Sequence, residues 1–519
     1  MANPPGDCTL KSSSGRWVLA STLLASAGAF TAGSGVNVAL PSIQAHFNSG
    51  VSGLQWIVNS YLLALSAFVI PAGVLGDRVG RKKVFLAGML LFTLAAIFSS
   101  MATSAGELIS LQAVQGLGAA LMVPQSLAII NACFVLEERG RAIGLWAGIS
   151  GGVSALGPWV AGWLIERFGW GAAFWMTAPV IALAFVVTLF FVPENRAEKT
   201  HGIDWAGTVL LLLALFGLAY GLVSEPSSGW SSAGVLSGLI GGAVCAFLFV
   251  ITEMRAPNPL IPPGMFKSAL VSGSNIATLL LYFALSGVTF FTVLNLQQIQ
   301  GFSPAQAGLR LLPTIVIITF LAGPAGALAD RIGPRTPMVI GSFIVALGDG
   351  LLVLGGTSGA YLPFFLPGLS LLGLGMALLI APLTKSALAV EPRYSGAASG
   401  VNNAVARIAA LLAVAILGAI MISVFSASLQ HEITAISLSP GQQSTIISQS
   451  GKLAGITIPS TFDAGSRELA NQAIATSFVS GYRWSMGICA VLALLACAIC
   501  LIVLPKNPEV RPEAPGPDS

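Results

Sequence analysis

The chain has 519 residues, of which 55% are hydrophobic and 8% charged, with a formal net charge of +4 and a mean hydropathy of +0.85. An ordinary soluble domain carries roughly 25% charged residues, and no soluble fold of this length can hide so much apolar surface. The composition therefore excludes a soluble protein and makes lipid the main solvent.

Fourteen segments are apolar enough to span a bilayer, which takes about 20 residues each. They lie near 17–41, 52–76, 84–103, 106–131, 141–164, 170–192, 204–224, 233–253, 270–295, 305–329, 337–355, 361–388, 396–427 and 478–504. The first is followed by more spans and reads as retained rather than as a cleavable signal. The expected fold is all-α and integral to the membrane. Lys and Arg stay on the cytoplasmic side, and a cytoplasmic N-terminus places 17 of the 24 there: Lys11, Arg16, Arg78, Arg81, Lys82, Lys83, Arg139, Arg141, Arg196, Lys199, Arg255, Lys267, Arg331, Arg335, Arg393, Lys506 and Arg511. Outside remain Arg167, Arg310, Lys452, Arg467 and Arg483, while Lys385 and Arg407 fall within spans. The polar stretch 428–477 between the last two spans reads as a solvated connector, with a small external cap as the alternative.

Two charged corners stand out in so apolar a chain. GVLGDRVGRKK at 73–83 returns as GALADRIGPR at 326–335, so Gly73, Leu75, Asp77, Arg78 and Gly80 recur as Gly326, Leu328, Asp330, Arg331 and Gly333. GLGAALMVP at 116–124 returns as GLGMALLIAP at 373–382, and Glu137 and Arg139 as Glu391 and Arg393. Three landmarks in one order indicate an internal duplication, a common build for secondary transporters with a substrate site between the halves. The organisation expected is a cytoplasmic tail (1–16), a six-helix bundle (17–192), two inserted helices with linkers (193–269), a second, pseudo-symmetric six-helix bundle (270–505) and a cytoplasmic tail (506–519). At each corner the cations suit a helix C-terminus and the inner membrane surface. Asp77 is the misfit and needs a partner: Arg81, Arg141 or the N-terminus of another helix. Gly73, Gly76, Asp77, Arg78, Gly80, Arg81, Arg141, Asp330 and Arg331 are therefore expected to form a conformational gate latching one half to the other.

With these motifs the chain resembles the major facilitator superfamily, whose signature loop has the form of GVLGDRVGRKK. VNVALPSI at 36–43, LQWIVNSYLL at 54–63 and GFSPAQAGLRLLP at 301–313 look like its fourteen-helix drug/proton antiporter branch. The resemblance runs from about residue 16 to 505. It implies two bundles around a central cavity, alternating access, and export of drug-like or amphipathic compounds in exchange for protons from a monomer in the cell membrane. GISGGVSALGPWVAG at 148–162 matches the family's antiporter motif, whose Gly148, Gly152, Gly157, Pro158 and Gly162 suit a tight, rocking seam because small residues let helices approach closely.

Two family positions differ. The branch usually carries an Asp nine residues before Pro41, where this chain has Ala32, and an Arg three residues before Gln115, where it has Gln112. A buried Arg without its anion is costly, so the two losses belong together. They favour, as the alternative, a transporter of a specific endogenous metabolite or anion with altered or lost proton coupling. Arg407 matches a common family position and is expected to face the cavity, with Asn37, Trp56, Asn59, Gln112, Gln115, Tyr282 and Asn403 as further substrate contacts. Tyr61, Gln125, Asn295 and Asn402 are further polar and aromatic candidates. Asp349, deep in span 11, is the candidate proton carrier, since ionisable groups inside spans are usually functional.

Enzyme sites are not expected. The chain holds no nucleophile–base set and no GxxxxGK[ST] for ATP-driven transport. His46, His201 and His431 lie far apart, and Cys497 and Cys500 read as small apolar residues of a span rather than a redox or metal pair. No metal, cofactor or nucleic-acid partner is expected; the partners are a small-molecule substrate, protons and membrane lipid.

Overall fold

A computed structural model describes residues 8–196, 204–257, 259–357, 359, 361–390 and 395–504. Lys199, His201, Glu391, Arg393, Lys506, Arg511 and the tail 506–519 lie outside the described residues. Sixteen α-helices follow in order: α1 (Ser13–Phe47), α2 (Val51–Val79), α3 (Arg81–Ser100), α4 (Ala105–Cys133), α5 (Leu136–Phe168), α6 (Ala172–Trp175), α7 (Ala178–Phe191), α8 (Trp205–Ser228), α9 (Ala233–Arg255), α10 (Ala269–Leu294), α11 (Pro304–Ile332), α12 (Arg335–Val353), α13 (Leu366–Ala387), α14 (Ser395–Ala435), α15 (Pro440–Ile447) and α16 (Ala464–Val503). With α6 and α7 taken together and α15 set aside, they supply fourteen helices long and apolar enough to cross a bilayer. The span count expected from the sequence is met.

Local chemistry sets many boundaries. Ser12, Ser104, Asp204, Ser268, Ser303 and Asp463 cap helix starts, each side chain accepting from a first-turn N–H, which satisfies a donor that lipid or a protein interior would leave costly. Gly80 joins α2 to α3 at φ 122°, and Gly333 joins α11 to α12 at φ 83°. Only glycine adopts such angles cheaply, so the repeated glycine of the two corners is a turn requirement. Two segments have π-helical turns, Asn295–Ile299 after α10 and Tyr361–Phe365 before α13.

Helix pairing repeats between the halves. α1 packs on α5 and α7, α2 on α4, and α3 on α4 and α7. In the same pattern α10 packs on α14 and α16, α11 on α13, and α12 on α13 and α16. The α8–α9 hairpin packs on α2 and α14. Both Asp-Arg corners lie at the C-terminal ends of equivalent helices, on one face of the bundle.

The opposite face carries a folded segment where a solvated connector was expected. α14 and α16 extend well beyond the lipid-crossing length, leaving only residues 436–463 between them. There Ile446, Leu453 and Phe462 are buried, and Ser439 starts α15 with a reciprocal capping box to Gln442. A few apolar residues, spaced too widely to read as a pattern, tuck this polar stretch onto the bundle as a cap. At the other end Cys8 is disulfide-bonded to Cys133, 125 residues away, and the Leu10 amide donates to Glu138. This ties the N-terminal segment to the end of α4.

Candidate functional site

The two halves meet tightly near the cap face. A Cβ added at Gly162 of α5 would stand 2.3 Å from the Pro304 carbonyl oxygen, and one at Gly308 of α11 would stand 2.3 Å from the Pro158 carbonyl oxygen. Backbone thus touches backbone, as small residues permit. Gln55 of α2 donates to the Val414 carbonyl of α14 at 2.6 Å. Just past α10, Gln297 donates to the Val38 carbonyl and Gln298 to Gln44 of α1. The cap adds a second layer: Gln44 donates to the Lys452 carbonyl, and the Lys452 ammonium reaches Asn48 at 2.7 Å.

Toward the corner face the α5–α11 seam opens. A Cβ added at Gly152 would meet a Thr319 methyl only at 3.6 Å, and one added at Gly140, Gly144, Gly148 or Gly323 would meet no other described atom within 4 Å. The expected seam therefore divides. Pro158 and Gly162 sit in its closed part and Gly148 and Gly152 in its open part, while Gly157 faces Thr31 and Ser34 of α1 in its own half. Along the α5–α11 seam the conformation is closed at the cap face and parted at the corner face.

Between the halves lies a cavity of about 350 Å³, walled by α1, α2, α4, α5, α10 and α14. Of the expected contacts, Asn37, Gln112, Gln115 and Arg407 line it. Gln112 donates to Gln115 at 2.6 Å, and the Asn37 side-chain amide oxygen is buried with no partner among the described residues. The Arg407 guanidinium, from α14, lies 5.9 Å from the ring centre of Phe30 on α1, reaching across to the other half. Tyr61 lines the wall, as do Ser34, Ser154, Ser286 and Thr289, which the sequence did not single out.

The remaining candidates lie elsewhere. Trp56 stacks toward the inserted hairpin, with ring centroids 5.7 Å from Phe216 and 6.5 Å from Tyr220. Asn59 is fully buried with both amide atoms unpartnered, but it is outside the cavity wall. Asn403 is exposed, while its neighbour Asn402 donates to Thr278 at 3.2 Å. Tyr282 packs partly buried in the second half. Gln125 donates to the Ala72 carbonyl, and Gly76 gives it room, because a Cβ there would come within 2.2 Å of the Gln125 amide.

At the first corner Asp77 pairs with Arg81 at 2.8 Å, one of the partners expected, and Arg81 also donates to the Ala128 carbonyl of α4. The repeat has Pro334 where Arg81 stands, so Asp330 must find a cation elsewhere. Lys385 of α13 supplies it. Both pairs stay within their own half in this conformation, so neither is a latch between halves here. Arg141 and Arg331 are exposed, and Gly73 approaches Pro124 at van der Waals distance.

A family model for the Major Facilitator Superfamily matches residues 22–414. The chain belongs to this superfamily. Among relatives of this major facilitator protein, Multidrug resistance protein Stp of Mycobacterium tuberculosis is 34% identical over 76% of this chain and 74% of its own length. The tetracenomycin C resistance and export protein of Streptomyces glaucescens is 31% identical over 92% and 89%. Among solved structures, a bacterial homolog to the human lysosomal transporter Spinster, inward-facing and unoccupied, superposes with a TM-score of 0.66 at 16% identity, covering 95% of this chain and 98% of that one.

Within the superfamily fold the two departures noted in the sequence acquire a location. Ala32 and Gln112 both line the cavity. Among the described residues its wall contains no Asp or Glu, and Arg407 is its charged side chain. Asp349 lies apart from the cavity, on α12 against α16. It is 0% exposed, and both carboxyl oxygens lack a partner among the described residues. It stands close enough to Tyr482 and Cys489 to act on both electrostatically. Tyr482 in turn shares a hydrogen bond of 3.0 Å with Thr292 of α10, a helix whose Leu285–Phe290 stretch borders the cavity.

Proposed function

We propose that this major facilitator protein exports drug-like, amphipathic compounds through the central cavity by alternating access, in exchange for protons. It would work as a monomer in the cell membrane, with both termini cytoplasmic and the corner face inward. The observation that carries the reading is a cavity of drug-binding size between two repeated bundles, sealed at one face by cross-half contacts and parted at the other. The names of the relatives, multidrug resistance and tetracenomycin C export, support the direction. Asn37, Gln112, Gln115 and Arg407 contact substrate, and Asp349 carries the proton. Tyr482 and Thr292 stand between it and the cavity side of α10.

Transport into inverted membrane vesicles tests this reading. Energised vesicles are expected to accumulate cavity-sized amphipathic probes, an uncoupler to abolish the accumulation, and Asn37→Ala with Gln112→Leu to weaken uptake several-fold. Accumulation indifferent to both the uncoupler and the cavity changes would sink the proposal.

The corners act as a gate: their ion pairs hold each half in register until the corner face closes. The Asp77–Arg81 pair is partly exposed and worth at most about 1 kcal/mol to stability. Asp77→Asn should therefore leave thermal stability nearly unchanged while transport falls about ten-fold, the loss expected when a step depends on about 1.4 kcal/mol of corner closure. Equal transport in the variant and the parent would reduce the corner to packing.

A further inference from the structure

We infer that Arg407 anchors an acidic group of the substrate, so that the cavity selects amphipathic molecules bearing one negative charge. This rests on the proposal that the central cavity is the substrate site, and it names the class of compound that site takes.

Three observations converge. Arg407 is the charged side chain of a wall that contains no Asp or Glu. Across the cavity from it the first half presents the uncharged Ala32, Asn37, Gln112 and Gln115, so among the described wall residues no carboxylate neutralises the guanidinium. The nearest aromatic face is Phe30, 5.9 Å to its centre, which attracts a cation weakly and leaves the N–H fork free to donate. A cation in a mostly apolar cavity is costly without an anion. A ligand that supplies one gains what a permanent cation forfeits, and a guanidinium meets a carboxylate or a delocalised oxyanion with two parallel hydrogen bonds. The apolar remainder of such a ligand finds Phe30, Leu65 and Phe290.

Charge accounting fits the same assignment. With its anion bound, the Arg407 site crosses the membrane neutral; empty, it returns with a positive charge. In the proposed orientation one negative charge leaves the cell per cycle in addition to the charge of the protons that enter. The anion's own charge then lets an inside-negative potential support about a fifty-fold outward gradient per 100 mV, before any contribution from protons.

A matched fluorescent pair tests the assignment: anthracene-9-carboxylate and its neutral carboxamide, titrated against the purified protein in nanodiscs. Wild-type protein is expected to bind the acid at least ten-fold more tightly than the amide. Arg407→Gln should bring the acid down to the level of the amide, and Arg407→Lys should recover part of the preference. In proteoliposomes an imposed potential should speed transport of the acid more than that of the amide, whose movement carries only the charge of the protons exchanged for it. Equal wild-type affinity for acid and amide overturns the inference, a result that needs no variant to fold. A preference that survives Arg407→Gln overturns it too, and if Asn37→Ala still weakens both ligands, the cavity remains the substrate site. Binding of both ligands that ignores every cavity change removes the site itself and the inference with it.

Discussion

Gly308→Ala should abolish most transport. The added methyl would stand 2.3 Å from a backbone oxygen of Pro158, and neither partner can rotate away, because both are main chain. Such overpacking typically costs 1–3 kcal/mol, which is about a 5- to 150-fold shift away from the closed cap-face seam. Gly162→Ala should act alike, its methyl meeting the carbonyl of Pro304 at 2.3 Å. The check is a pair of introduced cysteines at Glu166 and Ala305, whose side-chain oxygen and amide now stand 3.0 Å apart. Cross-linking should drop in both variants and stay at the parent level in Gly144→Ala, where nothing lies within 4 Å. Parent-level cross-linking and transport in Gly308→Ala would show that the closed face is held by something else.

Asp349→Asn should disconnect efflux from the proton gradient. Asp349 is fully buried with both oxygens unpartnered, and an unpaired charge at that depth costs several kcal/mol. A structural role would need a partner that the described residues do not provide. Asparagine keeps the shape and removes the exchangeable proton. Efflux driven by an imposed pH gradient is expected to fall at least ten-fold, the usual size of a lost proton-transfer role. Exchange of labelled for unlabelled substrate, which needs no net proton movement, should continue. A variant whose efflux follows external pH as the parent does would retire Asp349 as the carrier.

What was legible in the sequence was legible because it was rare. In a chain with 8% charged residues, two Asp-Arg corners mark equivalent helix ends, and Asp77 had few candidates for a partner. The span count followed from length and hydropathy alone. The direction of individual side chains did not. On α2 every face is apolar, so periodicity could not tell that Asn37 of α1 and Tyr61 of α2 face the cavity while Trp56 faces α8. The serines and threonine of the wall gave no signal, since hydroxyls in spans usually bond to their own helix, as Thr289 does to Leu285. Lys385 read only as a cation inside a span because its partner, Asp330, is 55 positions away. The Cys8–Cys133 bridge and the cap over 436–463 are likewise long-range events. Each is fixed by tertiary proximity and leaves little trace in local pattern.

The inserted hairpin gives the molecule two unlike flanks. By packing on α2 of one half and α14 of the other, α8, backed by α9, curtains one side of the cleft from the bilayer. On the α5–α11 flank no such curtain stands, and glycines along its parted stretch leave the helix surfaces bare. A lipophilic molecule in the leaflet at the corner face therefore meets a doorway on one side and a wall on the other.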